Sequence, residues 1–187
     1  MDQLRKQLEA YSPFNEQEIS DKRLMLRYMD IFPDLLTRKN EMAHFTASCW
    51  VVNPDRTKVL MAFHNLYQSW AWLGGHADGE EDLLNVALRE AQEESGVTDA
   101  RPVSKDFFSL EILGVDAHSK RGKHVSAHLH LNVTYLLEAD DRLPIRPKPD
   151  ENSAVRWLSA DTVLQEVSEP EMRIVYRKLM DKSKGFR

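Results

Sequence analysis

The segment from Gly75 to Val97 constrains this chain more than any other. It is entered through a glycine pair, Gly74-Gly75, with Gly79 shortly after, and it closes on Gly96. Between them, about Asp82 to Ser95 reads as a helix. Leu84, Ala87, Leu88 and Ala91 form its apolar stripe, and Glu90, Glu93 and Glu94 share a face turned roughly 100° from that stripe. Gly96 stands where a helix end needs a residue that tolerates left-handed geometry. The glycines before the helix permit close backbone approach. Three carboxylates at i, i+3 and i+4 repel one another, and near a helix carboxyl end the macrodipole opposes them too. A helix that accepts both costs is explained by a hard divalent cation. Magnesium prefers oxygen ligands and keeps room for water and substrate phosphates. For Glu-Ala-Gln-Glu-Glu alone, a solvated helix face is the ordinary explanation.

The rest of the chain frames this segment. Its 187 residues fit one domain of ordinary size with an elaboration, and 42% apolar residues supply a core. The net charge of -5 gives no support for a nucleic-acid partner. An acidic chain that handles phosphates must neutralise them locally, with a metal or a few placed cations. Cys49 is the single cysteine, so no intrachain disulfide forms. The amino terminus lacks an apolar signal core, and the run from Phe45 to Val52 is too short to span a bilayer. The expected setting is cytoplasmic, with no membrane partner.

Residues 1–42 read as a helical extension, with Asp21 as a cap before Leu24, Met25, Tyr28 and Met29, and Pro33 as a breaker. Residues 43–187 read as the main domain. Phe45–Val52 and Lys58–Phe63 form a predicted hairpin around Asn53-Pro54-Asp55. Phe107–Val115, Val125–Glu138 and Ala154–Leu158 read as further strands, and Pro170–Asp181 as a closing helix. Hairpins interleaved with helices predict an α/β fold, a mixed sheet packed between helices.

Taken whole, Gly75-x5-Glu81-x7-Arg89-Glu90-Ala91-x-Glu93-Glu94-x-Gly96-Val97 resembles the box of the Nudix hydrolases at every charged and glycine position. Ala91 departs from the usual bulkier aliphatic residue, and Leu73 stands where many members have proline. The resemblance implies a Nudix-type α/β/α sandwich, preceded here by the helical extension. It implies Mg2+ (or Mn2+) held by Glu90, Glu93 and Glu94. Arg89 resembles the arginine that orients box carboxylates, while Gly75, Glu81 and Gly96 resemble supporting positions. Glu151, in Pro149-Asp-Glu-Asn-Ser-Ala-Val-Arg-Trp157, resembles the later acid that helps bind metal or activates water in many members. The implied activity is hydrolysis of a diphosphate bond in a nucleoside-diphosphate-linked or related small molecule, giving phosphate monoesters. Glu93, Glu94, Arg89 and Glu151 are the catalytic candidates. A homodimer is compatible with this reading.

Other features bear on the substrate. Val125 to Tyr135 alternates, placing His128 and His130 on one sheet face. They line a pocket or belong to a merely structural polar face. A transition-metal site is disfavoured, because the box already supplies a hard-metal site and no cysteine accompanies the histidines. Lys120, Arg121 and Lys123 form a basic turn that would grip a phosphate or serve as an ordinary hairpin turn. Trp70 and Trp72 are core residues or a stacking platform for a base. Two alternatives stand beside the hydrolase: a non-catalytic nucleotide-binding or regulatory Nudix domain, and an enzyme like isopentenyl-diphosphate isomerase using Cys49. The intact box argues against both.

Overall fold

The structure, a computed structural model, describes residues 1–120 and 122–185. Two helices come first, α1 (Asp2–Ala10) and α2 (Glu16–Ile31), followed by strands β1 (Ala43–Val52), β2 (Lys58–His64), β3 (Ser69–Ala71) and β4 (Leu73–His76). Helix α3 (Leu83–Ser95) leads to β5 (Arg101–Pro102), β6 (Ser109–Val115), β7 (His118–Lys120), β8 (Lys123–Val125) and β9 (His128–Glu138). Strand β10 (Asn152–Ser159) and helices α4 (Val163–Glu166) and α5 (Pro170–Gly185) complete the chain.

The predicted hairpin is present: β1 and β2 pair antiparallel with Val52 opposite Val59. They belong to an eight-stranded mixed sheet whose spine runs β10-β2-β1-β9-β5. Its centre is a pairing that local sequence does not announce, the parallel ladder from Ala43–Leu129 to Val52–Glu138. Strand β4 joins the middle of β1, from Thr46 to Cys49, and β6 pairs along β9. The expected strand from Val125 is interrupted at Ser126-Ala127, so Lys123–Val125 pairs instead with His118–Lys120 in a separate two-stranded ribbon, β7-β8.

Alternation along β1 and β9 separates two layers. Phe45, Ala47, Cys49 and Val51 of β1 join Leu131, Val133 and Tyr135 of β9 in one apolar cluster, which α3 covers with Leu83, Val86, Ala87 and Ala91. On the other face, Trp50, Val52, Met61 and Leu136 pack against Tyr176 and Leu179 of α5. This is the α/β/α sandwich. The amino-terminal helices share the first core, since Leu4, Leu8 and Met25 are fully buried within it. Their start signal differs from the expected one. Asn15, not Asp21, caps α2 by accepting the Glu18 N–H. Asp21 lies inside the helix and accepts the Ile112 N–H of β6 instead. No helix among the described residues is long and apolar enough to cross a membrane.

Candidate functional site

Helix α3 begins at Asp82, whose side chain accepts the Asn85 N–H, and ends at Gly96 in the left-handed region, with φ 70°. Its buried side is Leu83, Val86, Ala87 and Ala91, a stripe shifted from the expected one. Leu84 and Leu88 are only partly covered. The shift has a consequence for the carboxylates, because Glu94 continues the buried stripe. Glu94 is 8% exposed and accepts the Gly74 N–H at 3.0 Å. The Glu90 side chain is 16% exposed and that of Glu93 is 47% exposed. The three acids therefore run from buried to open rather than sharing one wet face.

Their environment is graded in the same way. Burial pushes the Glu94 carboxyl up to about 8, against the Gly74 hydrogen bond, with repulsion from Glu90 and Glu151 adding to the rise. Glu90 is also raised, first by burial and then by the charge of Glu93. Room for Glu90 comes from Gly75: a Cβ there would lie 2.6 and 2.8 Å from the two Glu90 oxygens. Any other residue would push the carboxylate away from the strand.

Cations bracket this group. Arg89 places Nη2 3.5 Å from Glu90 and Nε 4.0 Å from Glu93. Lys148, which drew no attention in the sequence, puts its ammonium 3.4 Å from Glu93 and 3.2 Å from Glu151. Glu151 thus stands beside the box acids, joined through a shared lysine. The loop carrying both is tied to α3 by Asn152, which is 1% exposed, donates to the Glu94 carbonyl at 3.1 Å and accepts the Lys148 N–H at 3.0 Å. Glu81 lies apart in its bonding: its exposed carboxylate pairs with the amino group of Met1 at 2.7 Å.

A model of the NUDIX domain matches residues 42–180. The chain belongs to the NUDIX family. Among similar proteins, the human m7GpppN-mRNA hydrolase NUDT17 is 36% identical over 114 residues, 57% of this chain and 33% of that protein. Its zebrafish (Danio rerio) counterpart is 33% identical over 122 residues, 60% of this chain and 38% of that protein. The match thus spans only a third or so of the length of these relatives. Of solved structures, a Caenorhabditis elegans Ap4A hydrolase superposes with a TM-score of 0.56 at 19% identity, covering 76% of this chain and 98% of its own. RenU, a Nudix hydrolase from Mycobacterium smegmatis, gives 0.53 at 18% identity, covering 77% and 88%. These two likenesses establish the Nudix fold.

The remaining candidates occupy three places. Cys49 is fully buried against the Leu73 carbonyl, and burial raises its thiol well above the usual range, so it is a packed apolar group rather than a thiolate. Cys49→Ala is accordingly expected to change kcat by less than about 3-fold, since it removes no charged group from the site. Steady-state kinetics on the best substrate check this; a specific loss of chemistry in a folded variant would restore the isomerase reading. Trp70 is 7% exposed in the α5-side core, and Trp72 packs edge-on to Tyr176.

His128 and His130 do share a face, with Nε2 atoms 3.2 Å apart. That face is not an exposed one, for Asn132 and Thr134 farther along β9 are essentially buried. Two more histidines lie beside them: His44, which the sequence did not single out, and His76 of the box entry, whose place near the cleft or in ordinary loop packing the sequence left open. His44 stacks on His128 with ring centroids 4.9 Å apart, and His76 meets His130 at 5.0 Å. Burial, opposed by the hydrogen bond to Asn40, lowers the His44 pKa, favouring the neutral ring. Alternation in β1 was the signal available: His44, Thr46 and Ser48 form a polar row like that of β9. Arg121 lies outside the described residues.

Proposed function

We propose that this chain is a metal-dependent hydrolase that cuts the diphosphate bond of a nucleoside-diphosphate-linked small molecule and releases phosphate monoesters. The observation that carries the proposal is the convergence of Glu90, Glu93 and Glu94 with Arg89, Lys148 and Glu151 beneath the Gly74-Gly75 strand. An all-oxygen donor set fits a hard divalent ion such as Mg2+ or Mn2+. The high Glu94 pKa supports the fit, since a carboxylate that is costly to ionise in isolation is stabilised by a nearby dication. Lys148 is paired now with Glu93 and Glu151 and offers only a single charge.

Glu90, Glu93 and Glu94 would hold the ion, which when bound polarises phosphoryl oxygens and lowers the pKa of coordinated water. Arg89 keeps Glu90 and Glu93 in place. Glu151, exposed and next to the box, is suited to accept a proton from the attacking water. Gly75 keeps the wall thin at Glu90. Positioning and electrostatics supply most of the acceleration in phosphoryl chemistry. A cytoplasmic enzyme acting on small molecules accords with the acidic chain.

The names of the NUDT17 relatives favour one member of the substrate class, a cap-like dinucleotide with a phosphate bridge. The deciding experiment is a panel of capped dinucleotides, nucleoside triphosphates, dinucleoside polyphosphates, ADP-ribose and nucleotide sugars, run with Mg2+, with Mn2+ and with chelator. Products are identified by mass spectrometry, in heavy-oxygen water to mark the phosphorus attacked. At least one compound should yield a phosphate monoester only when metal is present. Silence across the panel, with metal bound to the box, would favour the nucleotide-binding reading instead.

A further inference from the structure

The sheet face turned away from α3 gathers four histidines from three adjacent strands. In the parallel ladder His44 of β1 is registered with His130 of β9, and in the antiparallel one Thr46 is opposite His76 of β4. The rings of His44, His76 and His130 form a nearly equilateral triangle, with centroids 5.2, 5.1 and 5.0 Å apart. Their ligand nitrogens all lie within 4.8 Å of one another.

His44 is the informative member. It is 4% exposed, and its Nδ1 lies 3.0 Å from the Asn40 carbonyl oxygen. A carbonyl only accepts, so Nδ1 carries the proton and Nε2 presents a lone pair. That buried Nε2 has no hydrogen-bond partner among the described residues. Metal-bound histidines are held in this way, with the other ring nitrogen donating to a backbone carbonyl. A buried acceptor without a donor otherwise costs stability.

We propose that His44, His76 and His130 form a binding site for a first-row transition-metal ion of the zinc class, separate from the carboxylate box. Imidazole suits such ions, whereas the box oxygens suit harder ones. Nitrogens spaced 4.8 Å apart are about 2.8 Å from their common centre, so each ring moves inward by less than about 1 Å to reach the usual Zn–N distance. Three protein ligands leave a fourth position. His128 is placed to fill it. Its Nδ1 is oriented by the Ser126 carbonyl at 2.8 Å, and its Nε2 is 3.2 Å from that of His130. Nitrogens on a tetrahedral zinc ion are about 3.3 Å apart.

The two sites lie back to back. Gly75 turns its Cβ direction towards Glu90 on the α3 side, and the next residue of the same strand, His76, points to the opposite face. In the sequence a transition metal is disfavoured because the box supplies a hard-metal site and no cysteine keeps His128 and His130 company. His44 and His76 supply that company from distant segments. The proposal does not depend on the hydrolase reading, and its test separates the two.

The full chain is stripped with chelator and titrated with Co2+ alone, then with Zn2+. One equivalent of Co2+ should give the visible absorption of a nitrogen-ligated ion in a low-coordinate site, and Zn2+ should displace it. The bands should persist in Glu93→Gln and weaken by roughly 100-fold or more in affinity in His44→Gln and His130→Gln. Absence of the bands in the unsubstituted protein overturns the proposal, as does full affinity in a folded His44→Gln variant. Should these variants fail to fold, long-range histidine NMR spectra of the unsubstituted protein decide the matter. Zn2+ should shift the His44 Nε2 resonance. If inorganic phosphate shifts it and Zn2+ does not, the cluster is an anion site and the metal assignment is wrong.

Discussion

Glu93→Gln is expected to lower turnover by about 100-fold or more, the equivalent of roughly 3 kcal/mol of transition-state stabilisation, while leaving the fold intact. Glu93 is the most open of the three box acids, so its side chain holds little of the core together. Its carboxylate is nonetheless the point where Arg89 from the helix and Lys148 from the loop between β9 and β10 meet. A glutamine keeps the shape and removes the charge. A dication would then lose a ligand, and Lys148 would keep Glu151 as its ion-pair partner among the described residues. The loss should fall on kcat more than on KM, because the charge matters most where charge develops on the phosphoryl group. Single-turnover rates at saturating metal, with circular dichroism to confirm folding, check this. Turnover equal to that of the unsubstituted protein on its best substrate would remove Glu93 from the active site.

The difference between what sequence revealed and what it hid follows the range of the interactions. Gly75 and Gly96 were legible because a close approach and a left-handed turn are local demands on one residue. The alternation of β9 was legible for the same reason and gave the correct inward row, Leu131, Val133 and Tyr135. The burial of Glu94 was not, since the exact stripe of α3 depends on how the helix lies on β1 and β4. Nor was the central β1–β9 pairing, which joins segments far apart in the chain. That pairing is what brings His44 beside His130, and the loop from β9 to β10 is what brings Lys148 and Glu151 to the box. Residue identities named the chemistry; the parallel ladder assembled it.

The same limit applies to Glu18, which no local pattern in the sequence sets apart and which is fully buried in the fold. It forms a balanced quartet with a second carboxylate, Glu111 of β6, and two lysines of α5. Lys182 is 2.9 Å from Glu18, and Lys178 is 3.1 Å from Glu18 and 2.8 Å from Glu111. Tyr11 donates to Glu18 at 2.6 Å, and the Phe14 N–H does so at 2.7 Å. Glu111 accepts from Asn132 and Thr134, and Asn132 in turn accepts from Thr46 and Ser48, so the network crosses the sheet. Burial alone would raise the Glu18 pKa; the hydrogen bonds from Tyr11, Lys182 and Phe14 and the charge of Lys178 outweigh it and hold the carboxyl at about 2.

Glu18→Gln is expected to destabilise the fold by about 3–5 kcal/mol, because it leaves buried ammonium groups short of a counter-charge. Denaturant unfolding measures the loss. Adding Lys182→Met should recover part of it, since the unpaired cation is then gone, and that coupling separates a charge effect from lost packing. The sign of the pH dependence follows from the depressed pKa. The stabilisation from Glu18 is complete above the ordinary carboxylate value of 4.5 and drains away as pH falls through that value towards 2. Its full extent is on the order of 3 kcal/mol. Glu18→Gln should therefore flatten the acid limb of the stability curve in that window. A variant that loses under about 1 kcal/mol and keeps the same acid limb would mean that the lysines of α5 find water or other partners, and that burial of Leu4, Leu8 and Met25, not this charge network, holds the amino-terminal helices to the sheet.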